Sequence, residues 1–268
     1  MVDPLRLYGC YVAASIKGQM QYPASFVLLS IGQFLSTIVE FVGISALFMR
    51  FQGLGGWTLA QVAVFYGTVN ISFALADMIS RGFDVFGPLF VKTGEFDRLL
   101  LRPRATPLQL LGHELRLTRI GRFLQATLVL GIAMGLLDQA WGLREVVLLL
   151  SAIAGGVAFF LGLVVLQATL AFWTVESLEV ANTLTYGGVT AAQFPIEIYS
   201  RWFRDFFTFV VPLSCVAYFP IVGILGVNDP LGAPGWFLDV SPLLGFIFLG
   251  ASLGIWRIGE RHYTSTGS

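Results

Sequence analysis

Residues 81–122 read RGFDVFGPLFVKTGEFDRLLLRPRATPLQLLGHELRLTRIGR, and their reading decides how the whole chain is organised. The stretch carries Arg81, Lys92, Arg98, Arg102, Arg104, Arg116, Arg119 and Arg122, eight of the 16 Lys and Arg in the sequence. Long apolar runs flank it on both sides. A basic loop between apolar segments marks the cytoplasmic side of a membrane protein, because Lys and Arg are retained inside during insertion. Connectors need only a few residues. A loop this long is expected to form a docking element, on which something at the cytoplasmic face pushes.

Composition supports the membrane reading. The 268 residues are 56% hydrophobic and 12% charged, with a mean hydropathy of +0.78. Soluble domains carry roughly a quarter charged residues, so most of this surface is expected to face hydrocarbon. At about 20 apolar residues per spanning helix, six spans fit. The net charge of zero conceals the segregation of basic residues into one loop. No nucleic-acid partner is expected, since tethering at a bilayer surface accounts for those residues. Cys10 and Cys215 are far apart and belong to no CxxC or Cys/His cluster, which argues against a disulfide framework or metal site. The start, MVDPLRLYGCYVAASIKGQMQY, has no compact apolar core with a small-residue cleavage site. The N-terminus is therefore expected in the cytoplasm.

Working outward, residues 4–22 read as an interfacial helix: Leu5, Tyr8, Val12, Ile16 and Met20 form a stripe, with Arg6, Ser15, Lys17 and Gln19 off it. Spans are expected at 24–49, 59–79, 123–137 and 146–173. The Gly131/Gly135 and Gly250/Gly254 pairs have the spacing that lets helices approach closely. The region 174–226 allows two readings. In one, 178–197 is the fifth span and 198–226 forms short helices dipping back from the outer side. In the other, 206–226 is the span, and Arg201 and Arg204 mark its cytoplasmic start. Charge bias favours the second. The breaks at Pro212 and Pro220 suit the first, since broken helices at membrane depth are tolerated only where protein or a cavity covers them. A last span is expected at 240–258. Under the first reading Arg50, Arg144, Arg201 and Arg204 lie outside and the remaining Lys and Arg inside.

Catalytic signatures are absent. Lys92-Thr93 follows Val91 rather than the glycine of a phosphate-binding loop, and no HExxH or GxSxG occurs. His113 and His262 read as solvated or interfacial. Glu40 and Asn70 fall within spans, where an ionisable group faces a bundle interior or wet cavity, and are candidates for a translocation pathway; the alternative for Glu40 is a carboxyl that is protonated or paired with a neighbouring helix. Asp77 is expected to sit beside Arg81, four residues on. Glu176, Glu179 and Asn182 read as a solvated helix end or a contact for a cytoplasmic partner. In the basic loop, Gly94-Glu95-Phe96-Asp97 gives a turn and a helix start with acidic residues at the positive end of the dipole. Leu99, Leu100 and Leu101 add an apolar knob, and Arg102-Pro103 ends the helix. A second amphipathic segment, 107–122, is expected to point Arg116, Arg119 and Arg122 at headgroups.

These residues resemble the membrane subunit (permease) of ABC transporters of the ABC-2 type, in a bacterial branch. Four pieces in order carry the resemblance: Gly94-Glu95-Phe96-Asp97 through Leu101-Arg102-Pro103; Glu179-Val180-Ala181-Asn182-Thr183 through Tyr186-Gly187-Gly188; Phe194-Pro195-Ile196-Glu197-Ile198-Tyr199 leading to Val211-Pro212-Leu213; and Arg261-His262-Tyr263 with Ser265-Thr266-Gly267-Ser268. It implies six spans in a single transmembrane domain, 1–268, of the bacterial inner membrane, with both termini cytoplasmic. It implies two cytoplasmic ABC ATPase subunits, which bind ATP and Mg that this chain does not, and a second permease, the same or a different chain. Membrane lipids surround the assembly.

The resemblance further implies a coupling helix with Gly94, Glu95, Phe96, Asp97, Leu99, Arg102 and Pro103 at the ATPase. It favours re-entrant helices within 198–226, with Phe194, Pro195 and Pro212 as a candidate outer gate. The fold class expected is thus an all-α membrane protein: an interfacial helix, six spans, a cytoplasmic coupling-helix loop at 81–122 and re-entrant helices before the last span. The function expected is ATP-driven export of a lipid-like or amphipathic compound through the permease dimer interface. An ATP-independent scramblase or intramembrane enzyme using Glu40, Glu176 or His113 is the alternative, and a structural anchor for another complex is a third.

Overall fold

The computed structural model describes residues 4–51, 53, 55–174, 178–227, 229 and 231–265. Every regular element among them is helical. In chain order these are α1 (Pro4–Gln19), α2 (Pro23–Phe51), α3 (Leu59–Ile79), α4 (Arg81–Asp84), α5 (Glu95–Leu100), α6 (Thr106–Leu111), α7 (Ile120–Leu136), α8 (Leu143–Leu170), α9 (Leu178–Ala192), α10 (Arg201–Asp205), α11 (Leu213–Val216), α12 (Tyr218–Leu225), α13 (Gly235–Val240) and α14 (Leu243–His262). Wider π turns occupy Phe86–Val91 and Phe206–Val210. Five helices are long and apolar enough to cross a membrane: α2, α3, Leu117–Leu136, α8 and α14. The count becomes six if the broken pair Arg201–Val210 and Leu213–Leu225, bent by 73°, is taken as one. The protein is an all-α membrane protein.

α3 is the central post. Its start is fixed by a capping box: the Gln61 amide donates to Thr58 Oγ1 at 3.3 Å, and the Thr58 amide donates to Gln61 Oε1 at 2.9 Å. From Val62 to Ala74 every residue is buried, packed between α7 and α8 with α9 alongside. α2 lies outside α7, and α14 lies outside α8. These outer helices leave apolar side chains uncovered, including Leu28 (69% exposed) and Val39 (71%) on α2 and Ile247 (64%) on α14. Such surface suits lipid or another apolar chain rather than water.

Helices meet most closely at glycines other than the pairs singled out by spacing. A Cβ on Gly155 would lie 2.3 Å from the Pro242 carbonyl, and one on Gly245 would lie 2.0 Å from the Gly155 carbonyl, so α8 and α14 touch backbone to backbone. A Cβ on Gly121 would fall 1.9 Å from the Ser30 carbonyl of α2. Gly131, Gly135, Gly250 and Gly254 face open space within the chain. Spacing finds a small-residue stripe but not whether a helix lies over it.

At the basic end, α1 runs along residues 112–117. Ser15 Oγ accepts from the Leu115 amide at 3.0 Å, the Leu117 amide donates to Gln19 Oε1 at 3.1 Å, and Gln19 Nε2 donates to the Leu115 carbonyl. The polar side of α1 thus meets the loop while Ile16 and Met20 stay exposed. The segment 107–122 is not one amphipathic helix. α6 ends at Leu111, and a single 3-10 turn at Leu117–Arg119 leads into α7.

Residues 193–226 begin and end at the opposite end of the bundle. Trp57 Nε1, just before α3, donates to Glu197 Oε1. Gln139 Nε2, between α7 and α8, donates to the Ile224 carbonyl. Thr58, Gln139 and Leu225 line one small hollow. Glu197 and Ile224 thus both make contacts at that end, with the 73° bend at Val211 and Pro212 between them. α9, at 15 residues, is shorter than the 178–197 expected. The expectation for Glu176 and for the closing residues Thr266, Gly267 and Ser268 lies outside the described residues, as do the side chains of Glu179 and Asn182.

Gly155→Val is expected to push α8 from α14 and lower the unfolding temperature in detergent by several degrees. Gly250→Ala should leave it unchanged. Thermal unfolding of the two variants side by side checks this.

Candidate functional site

The basic loop folds into a platform held by aromatic rings. Phe86 lies 4.8 Å from Trp256 and 5.0 Å from Phe96, ring centre to ring centre. Phe96 reaches Tyr263 at 4.9 Å, and Phe172 reaches Trp256 at 4.9 Å. These spacings are those of edge-to-face pairs. The cluster joins α5 to the end of α8 and to the last turns of α14. Polar contacts complete it. Trp256 Nε1 donates to Thr106 Oγ1 at 3.0 Å, which donates to Glu260 at 3.1 Å. Gln109 Nε2 donates to the Leu99 and Arg104 carbonyls at 3.1 and 3.0 Å. Ser265 Oγ donates to Asp97 at 2.7 Å.

α5 begins at Gly94, whose φ of 72° is left-handed, a conformation that glycine adopts without strain. The coupling residues expected from the sequence divide into two sets. Phe96 (0% exposed) and Leu99 (7%) point inward, because the aromatic cluster offers them a dry site. Glu95, Arg102 and Pro103 are exposed, and beside them so are Leu100 and Leu101 of the apolar knob, Leu101 at 86%. Arg98, outside the expected set, is exposed as well and lies 3.9 Å from Glu95. A partner would therefore meet the Arg98–Leu101 tip, and Phe96 would hold that tip in place.

Beneath the platform the loop's arginines turn inward rather than to headgroups. Asp77, at the end of α3, lies 3.2 Å from Arg116 and 2.6 Å from Arg119. Asp84 lies 3.1 Å from Arg116. Arg81 pairs with Glu114 at 3.7 Å and not with Asp77, as helical spacing had predicted. Two carboxylates at the mouth of the bundle attract the nearest guanidinium groups whatever their distance in sequence. Burial, with the neighbouring Asp77 charge, pushes the Asp84 carboxyl up to about 6, against the opposing pull of Arg116.

The pathway candidates Glu40 and Asn70 are brought together by a residue that sequence reasoning assigned to the surface. Arg122, at the start of α7, donates from Nε to Asn70 Oδ1 at 2.9 Å and lies 3.9 Å from Glu40. Its guanidinium sits 4.9 Å from the centre of the Phe73 ring, within cation–π range. Gln193, at the end of α9, donates to Glu40 at 2.8 Å. Nearby, Tyr66 donates to the Thr37 carbonyl at 2.9 Å. A charge at bilayer depth needs such partners. The group ties α2, α3, α7 and the chain after α9 at one level. The one hint of it in the sequence was a Glu and an Asn within spans.

The candidate gate residues lie on separate features. Phe194 and Pro195 follow α9 beside the Trp57–Glu197 contact, whereas Pro212 sits at the 73° bend and lines a cavity. His113 stacks edge-on to Phe90 at 5.0 Å, and His262 Nδ1 is 2.8 Å from the Ile258 carbonyl. No cluster of potential metal ligands occurs among the described residues.

Lowering pH from 8 to 5 should stabilise the protein through Asp84. Its folded-state value lies above the ordinary carboxylate value, so its contribution is fully present at low pH and is lost as pH rises through about 6. Asp84→Asn should remove that part of the pH dependence, as read from unfolding temperatures. Arg122→Gln should cost about 2 kcal/mol, less than the cost of stripping a partner from a fully buried pair. Glu40→Gln in the same chain should recover part of the loss.

Compared with known proteins, residues 34–267 match the family model described as ABC-2 family transporter protein. No curated protein and no solved structure matches the chain.

Proposed function

The chain belongs to the ABC-2 family of transporter proteins and is a membrane subunit of a transporter, and from that premise we propose that α5 is its coupling helix. The reading has two cytoplasmic ABC ATPase subunits, carrying ATP and Mg, dock beneath the platform. A second permease, the same chain or another, completes the assembly. The basic loop and both termini face the cytoplasm of a bacterial cell, and the bent pair 201–225 dips back from the outer side of the inner membrane. Export of a lipid-like or amphipathic compound is the activity assigned.

The observation that carries this reading is the exposed Arg98–Leu101 tip on a rigid aromatic base. A partner groove can hold the apolar Leu100 and Leu101 between charged neighbours. Closure of the ATPases on ATP would push the tip, and because Phe96 is wedged among Phe86, Phe172 and Tyr263, the push passes to α8 and α14 rather than bending the loop. The Asp77–Arg116–Arg119 contacts pass it to α3. Opening a path beside α2 and α9 would then break the Glu40–Arg122 and Glu40–Gln193 contacts, which gives Glu40 and Asn70 their pathway role. Phe194, Pro195 and Pro212 stand at the outer end of that path.

Replacing Arg98 with Glu and Leu101 with Asp together should cut permease-stimulated ATPase activity about tenfold, with the unfolding temperature unchanged. Phe96→Asp should lower both, since it buries a carboxylate among rings. Normal stimulation in the Arg98/Leu101 variant would sink the coupling assignment.

A further inference from the structure

A cavity of about 950 Å3 opens at the end of the bundle away from the basic loop. Pockets for small ligands run to roughly 300–1,000 Å3, so this one is large enough for a substantial occupant. It lies between the bent pair, residues 231–237 and the first turns of α14. Its polar groups are Arg201, Arg204, Asp205 and Thr208, the three charges all on α10. Its inner wall is apolar, with Phe219, Phe237 and Phe248 among the lining. Lining residues on α14 extend from Leu244 to Ala251, about 10 Å of helix at 1.5 Å per residue.

The charge at the mouth is unbalanced. Arg201 lies 3.9 Å from Asp205, an exposed pair of the kind that contributes little. Arg204 enters no ion pair among the described residues. Two cations and one anion leave the mouth positive. One flank is open and oily: the lining residues Phe209 (81% exposed), Val210 (65%) and Ile247 (64%) face outward. Trp202 (72% exposed) and Trp236 (66%) stand beside the mouth, and indoles favour the level of lipid headgroups. Positive charge at the rim, apolar wall below and a lateral opening match one ligand chemistry, an anionic headgroup on a hydrocarbon chain.

We propose that this cavity binds an anionic phospholipid, with Arg201 and Arg204 at its phosphate and its acyl chain along Phe219, Phe237 and Phe248. The site goes beyond the coupling reading and needs no motor. Loss of ATPase stimulation and loss of lipid binding are therefore separate failures.

The test uses the full chain purified in detergent, titrated with phosphatidylglycerol or phosphatidylcholine of the same chain length, and read by native mass spectrometry. Phosphatidylglycerol should be retained about tenfold more tightly. The R201Q/R204Q variant, changed at the cavity mouth, should lose that preference and keep phosphatidylcholine binding. A251W, which fills the lower wall from an exposed position, should reduce retention of both lipids. Glycerol 3-phosphate, a headgroup without a chain, should displace neither. Equal retention of the two lipids by the wild type, or unchanged phosphatidylglycerol retention in both variants, would overturn the proposal. So would displacement by glycerol 3-phosphate, or a lipid-free dimer with a second copy covering Phe209 and Ile247.

Discussion

The pairing of Asp77 with Arg116 and Arg119 is the contact on which the basic end of the molecule depends. Asp77 closes the central helix and is almost fully buried, its side chain 5% exposed. A buried carboxylate without a partner is strongly disfavoured, and its partners come from the far end of the loop. The loop must therefore fold back beneath the bundle rather than hang from it. Once it does, the Arg116 amide donates to the Met78 carbonyl at 2.8 Å, α6 closes on α4, and Phe83, Phe86 and Phe96 find one another around Trp256. A loop that charge bias alone would leave at the headgroups becomes a solid base.

The apolar helices were legible because a spanning segment announces itself by length and hydropathy alone. The runs at 24–49, 59–79 and 146–173 stand within a few residues of α2, α3 and α8. The family was legible too, through short motifs in order. What the sequence could not reveal was partnership. Arg122 follows Arg116 and Arg119 at three-residue spacing, so periodicity gives all three one face, but not that Asn70 and Glu40 wait for it 52 and 82 positions back. The family resemblance set Phe96 among the residues at the ATPase, whereas it is fully buried. Its burial depends on Phe172 and Tyr263, which lie just past the ends of α8 and α14. Gly155 and Gly245 carried no pair spacing of their own, and their meaning comes from the backbone opposite.

The middle of the chain was hard for a different reason. α9 is polar and short, and the bent pair is interrupted by Pro212 and by a π turn, so neither has the length or continuity that hydropathy detects. The arginines at 201 and 204 pull the charge argument toward the basic end of the bundle, whereas Glu197 and Ile224, on either side of them, make their contacts at the other. The positive-inside bias counts charges near helix ends, and it does not register contacts between one segment and another.

The two ends of the bundle differ in kind, and α14 joins them. At the platform, Trp256 is ringed by Phe83, Phe86 and Phe172. Eight residues earlier, about 12 Å away along the helix, Phe248 lines the cavity. Along this stretch α14 is held to α8 at Gly162, where a Cβ would lie 2.8 Å from Phe248 and 3.1 Å from Ser252, and just beyond Phe248 at Gly155–Gly245. A pair of helices in such contact moves as one body, because a packed interface shifts between arrangements rather than deforming smoothly. In the proposed cycle, a displacement delivered at Phe172 and Trp256 would reach the cavity wall undiminished. The bent pair opposite has a π turn, a proline break and an open flank, and it is the wall free to yield. Stiffness on one side and compliance on the other would let a push at the cytoplasmic face change the volume of a site at the far end.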